Sequence, residues 1–440
     1  MVCSRWIIVG AFSALLTGTT VLFSACAPGG ESVQAAGRKH VLLVTIEGLR
    51  GDAVGAFEGW YGTAPTAEAA DTAGVAQQDL NPARRTAATP HLDRLAEESF
   101  TYGYALASSS WCAPSTASIM ASQYPSYLGF TSLERSLDGS HVTLAEVLRG
   151  AGWKTRAFVQ HPFLRTRYNL DQGFAQYSVA EGDSAPARGG ITMKKALDAI
   201  GDLGGQSTLL WVQLGGLGPP FDLEDNGQPL TRSEWLRYRD QWQSEDLSIL
   251  RERYSAGVER VDRQLGLLLE ALVQAGVDGD TVVVCVASNG CELLENGHIG
   301  DGTSLADSLV RVPLMISVPE VRPGVIEDPV SLIDLAPSLL RLLGLRAPHT
   351  WRGVSVLPQE PVPDRYLFSE LSRARELRVA VRADHKLILD PEAGTHRLFD
   401  VYADPFEKHD LASQKGALGF ELLEALKAFE EGVESDHSDL

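Results

Sequence analysis

His40-Val41-Leu42-Leu43-Val44-Thr45-Ile46 is an unbroken apolar run of strand length. A strand with one wet face alternates apolar and polar residues, so a continuous run fits a strand covered on both faces, as in a parallel sheet. Similar runs recur at 155–159, 208–214, 281–287 and 312–318. Helical patterns separate them at 89–98, 114–121, 144–151, 193–203 and 247–275. Strand and helix alternate as in an α/β sheet with helices on both faces. Ligands of such sheets bind beyond the carboxyl ends of the strands. Glu47, Gln213 and Ser288-Asn289 lie at or just after such ends and are predicted to converge.

The chain has 440 residues, more than one hydrophobic core usually serves, so a large domain plus a smaller one is expected. We place the α/β domain at 39–345, with an Ala/Thr/Gln-rich surface loop inserted at 63–88. A helix over 330–343 is followed by short antiparallel strands at 366–368, 377–381, 385–389 and 397–399, and by a closing helix at 417–429. These last elements form a small C-terminal α+β subdomain, 346–440.

Residues 1–25 carry one charge, Arg5, then an apolar run and small residues, the pattern of a secretory signal. Ser24-Ala25-Cys26 also resembles a bacterial lipobox, which implies acylation of Cys26 as the mature N-terminus; the alternative is a plain signal peptide cut nearby. Ala27 then points to the outer membrane, facing the periplasm, if the cell is Gram-negative. Residues 26–38 read as a tether. The formal charge is −19, or −20 with residues 1–25 set aside. A net field of that sign disfavours nucleic acid and anionic lipid as partners, and leaves attachment to the membrane to the lipid on Cys26. Of five cysteines, Cys112, Cys285 and Cys291 remain after Cys3 and Cys26, too few and too far apart for a disulfide framework or a zinc site.

One of these thiols opens a helix. In Ser108-Ser109-Ser110-Trp111-Cys112-Ala113-Pro114-Ser115-Thr116-Ala117-Ser118, Pro114 suits a first helical turn whose free N–H groups favour an anion or a thiolate at Cys112. The Cys-x-Pro-Ser fragment resembles the nucleophile turn of the sulfatases, a branch of the alkaline phosphatase superfamily, where the cysteine becomes formylglycine and binds a divalent cation. Thr89-Pro90-His91-Leu92-Asp93-Arg94-Leu95-Ala96, Leu309-Val310-Arg311-Val312-Pro313-Leu314, Leu332-Ile333-Asp334-Leu335-Ala336-Pro337-Ser338, His385-Lys386-Leu387-Ile388 and Leu398-Phe399-Asp400-Val401-Tyr402-Ala403-Asp404-Pro405-Phe406-Glu407-Lys408 are also similar to the family, in its order. The resemblance implies an alkaline-phosphatase-like, mainly parallel sheet with a small C-terminal antiparallel sheet.

At the family's chemical positions the sequence departs from it. The first metal loop, usually Asp-Asp, reads Glu47-Gly48. The second, usually Ser-Asp-His/Asn-Gly, reads Ala287-Ser288-Asn289-Gly290. The arginine that ends the cysteine motif is Thr116, so Cys112 is expected to stay unmodified. Gln213 stands where a histidine is usual, Asn296 replaces another histidine, and Asp301 replaces the cation that faces sulfate. Of the family-like oxygen ligands only Glu47 and Asn289 remain, and the set lacks the charge for metal-assisted transfer.

The implied protein is a lipid-anchored sulfatase homologue with a degenerate site and no cofactor, binding a glycan or a partner such as a catalytic paralogue through the former cleft. The alternative is a sulfuric or phosphoric ester hydrolase in which Glu47, Glu292, Glu295 and Asp301 rebuild a Ca²⁺ or Mg²⁺ site. No histidine shows triad spacing with Ser115 or Ser118; His161, with Arg156, Arg165 and Arg167 around it, reads as a solvated loop, the alternative being a site for an anionic ligand. Trp235, Trp242 and Trp351 are either a carbohydrate rim or packing. Cys112 and Cys291, on loops that face each other across the metal in the family, either form a disulfide or remain separate thiols with Cys291 partly exposed.

Overall fold

The central strand β1 (His40–Glu47) has seven buried residues in succession and pairs in parallel on both sides. Full burial on both faces is what its unbroken apolar run requires. The computed structural model describes residues 40–61, 87–182, 184–219, 224–225, 228–229, 247–358, 360–373 and 375–438. The expectations for residues 1–38, for Cys26, for most of the 63–88 insert and for Trp235 and Trp242 lie outside them. Among the described residues no helix is long and apolar enough to cross a membrane.

In chain order β1 is followed by α1 (Pro90–Glu97), β2 (Phe100–Tyr102), α2 (Cys112–Ala121), α3 (Leu144–Gly150), β3 (Lys154–Val159), β4 (Gln176–Val179), α4 (Ala185–Gly201) and β5 (Thr208–Leu214). After these come α5 (Leu247–Gln274), β6 (Thr281–Asn289), β7 (Leu314–Ser317), β8 (Gly324–Ile326) and α6 (Leu335–Leu342). The eight strands form one sheet in the order β8-β2-β7-β6-β1-β5-β3-β4. It is mixed but mainly parallel, β7 running against both β6 and β2. The C-terminal part is a four-stranded antiparallel meander, β9 (Leu367–Ser372), β10 (Glu376–Arg382), β11 (His385–Asp390) and β12 (Thr395–Asp400), against which α7 (Gly416–Ser438) packs.

Two boundaries differ from the sequence reading. The helix expected at 330–343 begins only at Leu335, because Val330–Ser331 is paired as a strand and Ser331 and Asp334 form a capping box around a single 3₁₀ turn. The α4 helix starts at Ala185 rather than 193, since Ser184 caps it through the Ala187 N–H and Pro186 occupies the first turn.

The helix α2 is buried along its whole length, so it has no polar stripe to betray it. Its N-terminal approach is clamped from two sides. Glu370 of β9 donates its N–H to Ser108 O (2.9 Å) and receives Ser109 Oγ on its carbonyl (2.7 Å), while Gly302 N–H binds Ser110 O (3.0 Å). The C-terminal sheet therefore fixes the turn that carries Cys112.

Candidate functional site

The carboxyl ends of β1, β3, β5 and β6 meet the N-terminus of α2. The register sets Glu47 beside Asn289 and Thr45 beside Gln213. A register shift at Ile46/Glu47 turns the chain, with Gly48 at φ +78° and its N–H on Asn289 O (2.9 Å). A side chain at position 48 would be strained by that φ, and its Cβ would lie 3.1 Å from Leu217 Cβ. An aspartate there would need Leu217 to give way as well as a left-handed backbone.

Glu47 is engaged by a histidine. His161, just past the end of β3, places Nε2 3.1 Å from Glu47 Oε1 and is 8% exposed. The backbone N–H of Phe163 donates to His161 Nδ1 (3.1 Å). An N–H can only donate, so Nδ1 is an acceptor and Nε2 carries the proton that faces Glu47. Burial pushes the imidazole pKa down, but Glu47 and Cys112 more than reverse this, and the net shift is upward. Gln213 Oε1 accepts the N–H groups of both Gln160 and His161 (2.9 Å each), which fixes the loop that carries the ring. A Cβ built on Gly215 would lie 2.9 Å from Glu47 Oε2, 3.1 Å from Gln213 Nε2 and 3.2 Å from Gln160 Nε2, so these three groups gather around that glycine. Glu47 Oε1 thus faces the His161 N–H, with the side chains of Gln160 and Gln213 close by; Gln213 Nε2 itself donates to Leu214 O (2.7 Å).

Ser288 and Asn289 satisfy each other and their own loop. Ser288 Oγ donates to Asn289 Oδ1 (2.9 Å) and Asn289 Nδ2 to Gly290 O (3.0 Å), while Ser115 Oγ of α2 donates to Ser288 O (2.5 Å). Cys112 is buried, 3.8 Å from Thr116 Oγ1, and next to His161. Burial raises the thiol pKa, an effect that His161 offsets only in part, so the helix terminus does not yield a ready thiolate.

The other charges of the cleft are paired off separately. Glu292 accepts from Asn296 Nδ2 (2.8 Å), Ser304 Oγ (3.1 Å) and Thr303 Oγ1. Glu295 binds Arg50, whose guanidinium also meets Asp52 and the carbonyl of Cys291. Asp301 lies 3.8 Å from Arg373, which sits over the Trp111 ring at 5.1 Å. Glu47, Glu292, Glu295 and Asp301 therefore face four different partners and do not surround one point.

The group implied by the fold is a Ca²⁺- or Mg²⁺-type cation, which takes about six to eight oxygens. Of Glu47, Ser288 and Asn289 only the first is a carboxylate, its Oε1 faces an imidazole N–H, and Asn289 Oδ1 already accepts from Ser288. These residues do not fit the ion. Among the described residues the acidic and imidazole atoms close enough to share a cation are those of Asp384, His385 and Asp400, in the C-terminal sheet, where Lys415 Nζ lies 2.5 Å from His385 Nε2.

Two expectations need correction. Cys112 and Cys291 are free thiols, and both are buried. Cys112 faces His161, whereas Cys291 lies on the Arg50–Tyr254 side, so the disulfide between them is not formed. His161 is no solvated loop residue but sits at the centre of the site. A lone histidine carries no periodicity, yet its place just past a parallel strand, where Glu47 and Gln213 also lie, was the signal available in the sequence. Trp351 is buried and donates Nε1–H to Val142 O (2.8 Å), which is packing rather than a rim.

Comparison with known proteins agrees with this geometry. A sequence model of the Sulfatase family matches residues 39–345. The chain is 26% identical to arylsulfatase A of Bos taurus over 418 residues, 78% of this chain and 82% of that protein. It is 34% identical to a choline-sulfatase of Rhizobium meliloti over 176 residues, 37% of this chain and 33% of that one, and 28% identical to a sulfatase of Formosa agariphila over 195 residues, 43% and 37%. These last two matches span about a third of the relatives' lengths. Among solved structures, a 2-O GAG sulfatase superposes with a TM-score of 0.71 at 16% identity, covering 91% of this chain and 93% of that one. The phosphonate monoester hydrolase of Agrobacterium radiobacter gives 0.70 at 18%, covering 90% and 96%. Identities this low speak for the fold alone.

Proposed function

Because the chain belongs to the sulfatase family, we propose that it is a lipid-anchored envelope protein in which the family's cleft no longer hydrolyses sulfate esters and serves instead to bind a glycan or a partner protein. The observation that carries this reading is the state of Glu47, whose Oε1 faces the imidazole Nε2–H of His161. Sulfate transfer needs a concentrated positive field at the nucleophile and on the sulfate oxygens. The neutral side chains Thr116, Gln213 and Asn296 at family positions, and the carboxylate of Asp301 at the position of the cation, supply none of it.

The purified mature protein should turn over neither an aryl sulfate nor an aryl phosphate above the rate of a heat-denatured control. Turnover of either substrate that is abolished in Cys112→Ala would overturn the reading and favour an ester hydrolase with an altered site. Attachment through Cys26 is tested by metabolic labelling with a palmitate analogue, where Cys26→Ala should lose the label and fractionate as a soluble protein.

A further inference from the structure

The Glu47 carboxylate is the one family-position metal ligand that kept its charge, and the His161 ring stands against its Oε1. His161 is fixed at three points: the Phe163 N–H on Nδ1, the Gln213 side chain on its backbone N–H, and the Phe163 ring, whose centroid lies 4.9 Å from the imidazole at an interplanar angle of 73°. A cation of calcium type would need to approach Glu47 Oε1 to about 2.3–2.6 Å, the place taken by the Nε2 proton. Making room means withdrawing a buried donor from its acceptor and leaving it unpaired, which is unfavourable.

We infer that His161 is a built-in plug, a side chain that holds Glu47 Oε1 through its Nε2–H and closes this position to divalent cations. The inference rests on the metal-free reading of the cleft and deepens it, by assigning the exclusion to one residue rather than to missing ligands alone. It does not depend on the charge of the imidazole, since the neutral ring already presents its N–H to Glu47. The same contact ties β1 to β3 across the intervening β5, a link that in this chain takes over the tying of strand ends.

The test restores a ligand with and without the plug. Ser288→Asp returns an anionic oxygen to the second metal loop, and calcium binding is measured by isothermal titration on Ser288→Asp and on Ser288→Asp/His161→Ala. The plug predicts that the double variant binds calcium at least tenfold more tightly than Ser288→Asp. Equal affinity in the two would overturn it, while leaving the non-catalytic reading of the native cleft untouched. Stoichiometric calcium in the native protein would instead sink both. Because Ser288 is buried, its aspartate variants face a folding risk. If neither folds, His161→Ala and the native protein are compared by sensitised terbium(III) luminescence, terbium standing in for calcium. Emission that rises at tenfold lower terbium in His161→Ala supports the plug, and superimposable titrations overturn it.

Discussion

Two buried polar regions of this molecule treat charge in opposite ways. At the strand ends, one carboxylate faces a histidine N–H, and serine and asparagine satisfy each other. At the junction of the α/β domain with the C-terminal sheet, charge is concentrated. Lys386 Nζ lies 2.6 Å from both Asp307 Oδ1 and Glu407 Oε1, Tyr104 donates its O–H to Asp307 (2.9 Å), and Arg311 binds the carbonyls of Val401 (3.0 Å), Gly103 (2.9 Å) and Trp60 (2.9 Å). Lys386 and Arg311 are almost completely buried. Burial pushes the ammonium of Lys386 down, but its two carboxylates outweigh that and hold it charged. Charge has been kept where it joins elements and dropped where the family uses it for chemistry.

This contrast explains what the sequence could and could not reveal. Arg311, Asp334, Lys386 and Glu407 each sit inside a stretch that resembles the family, and each lies in a buried ion pair: Asp334 with Arg365, the other three around Asp307. Those stretches therefore also serve as joints of the scaffold, which is why the resemblance speaks for the architecture more than for the activity. Breaking the Lys386 joint should have the largest effect. Lys386→Met leaves Asp307 and Glu407 buried without their cation and should cost about 3–5 kcal/mol, read from urea unfolding. A loss below 1 kcal/mol would mean that the joint carries little of the fold.

Glu370 sharpens the comparison, because it is a buried carboxyl without a full partner. Burial raises its pKa from 4.5 to about 7, Arg378 and Ser126 opposing only in part, and its Oε2 has no hydrogen-bond partner. A carboxyl that is harder to ionise in the folded state favours folding below its unfolded pKa and loses that contribution as pH rises towards 7. Glu370→Gln should therefore gain about 1–3 kcal/mol at pH 8 and little at pH 4. A stability change of the same size at both pH values would contradict this. Glu47 should respond more weakly. Glu47→Gln keeps an oxygen for His161 and loses only the charge assistance, about 1 kcal/mol; a loss equal to that of Lys386→Met would erase the distinction between the two regions. The smallest effect is expected at Cys112, where the tryptic peptide containing Trp111 to Thr116 should carry an intact thiol by mass spectrometry, and an aldehyde there would restore the family's maturation.

The long apolar runs made β1, β5 and β6 legible, because strands covered on both faces leave no other pattern. The short strands β2, β4 and β8 were missed, having three or four residues each and little periodicity. Within the site, Glu47, Gln213, Ser288 and Asn289 were found from their place at strand ends. Two of their partners were not, since His161 and Gln160 acquire their roles only when β1, β3 and β5 are laid side by side. The free state of Cys112 and Cys291 follows from which way each loop faces, and spacing along the chain does not encode that.

At the strand ends Glu47 Oε1 is engaged by His161 where the family holds a cation. The most direct test is the calcium and magnesium content of the purified mature protein by inductively coupled plasma mass spectrometry after exhaustive dialysis against metal-free buffer. The account predicts less than about one-tenth of an equivalent of either ion, since Glu47 is the only carboxylate at the family's ligand positions here and its Oε1 is turned to His161. One equivalent of calcium or magnesium per chain that is lost in Glu47→Gln would contradict it.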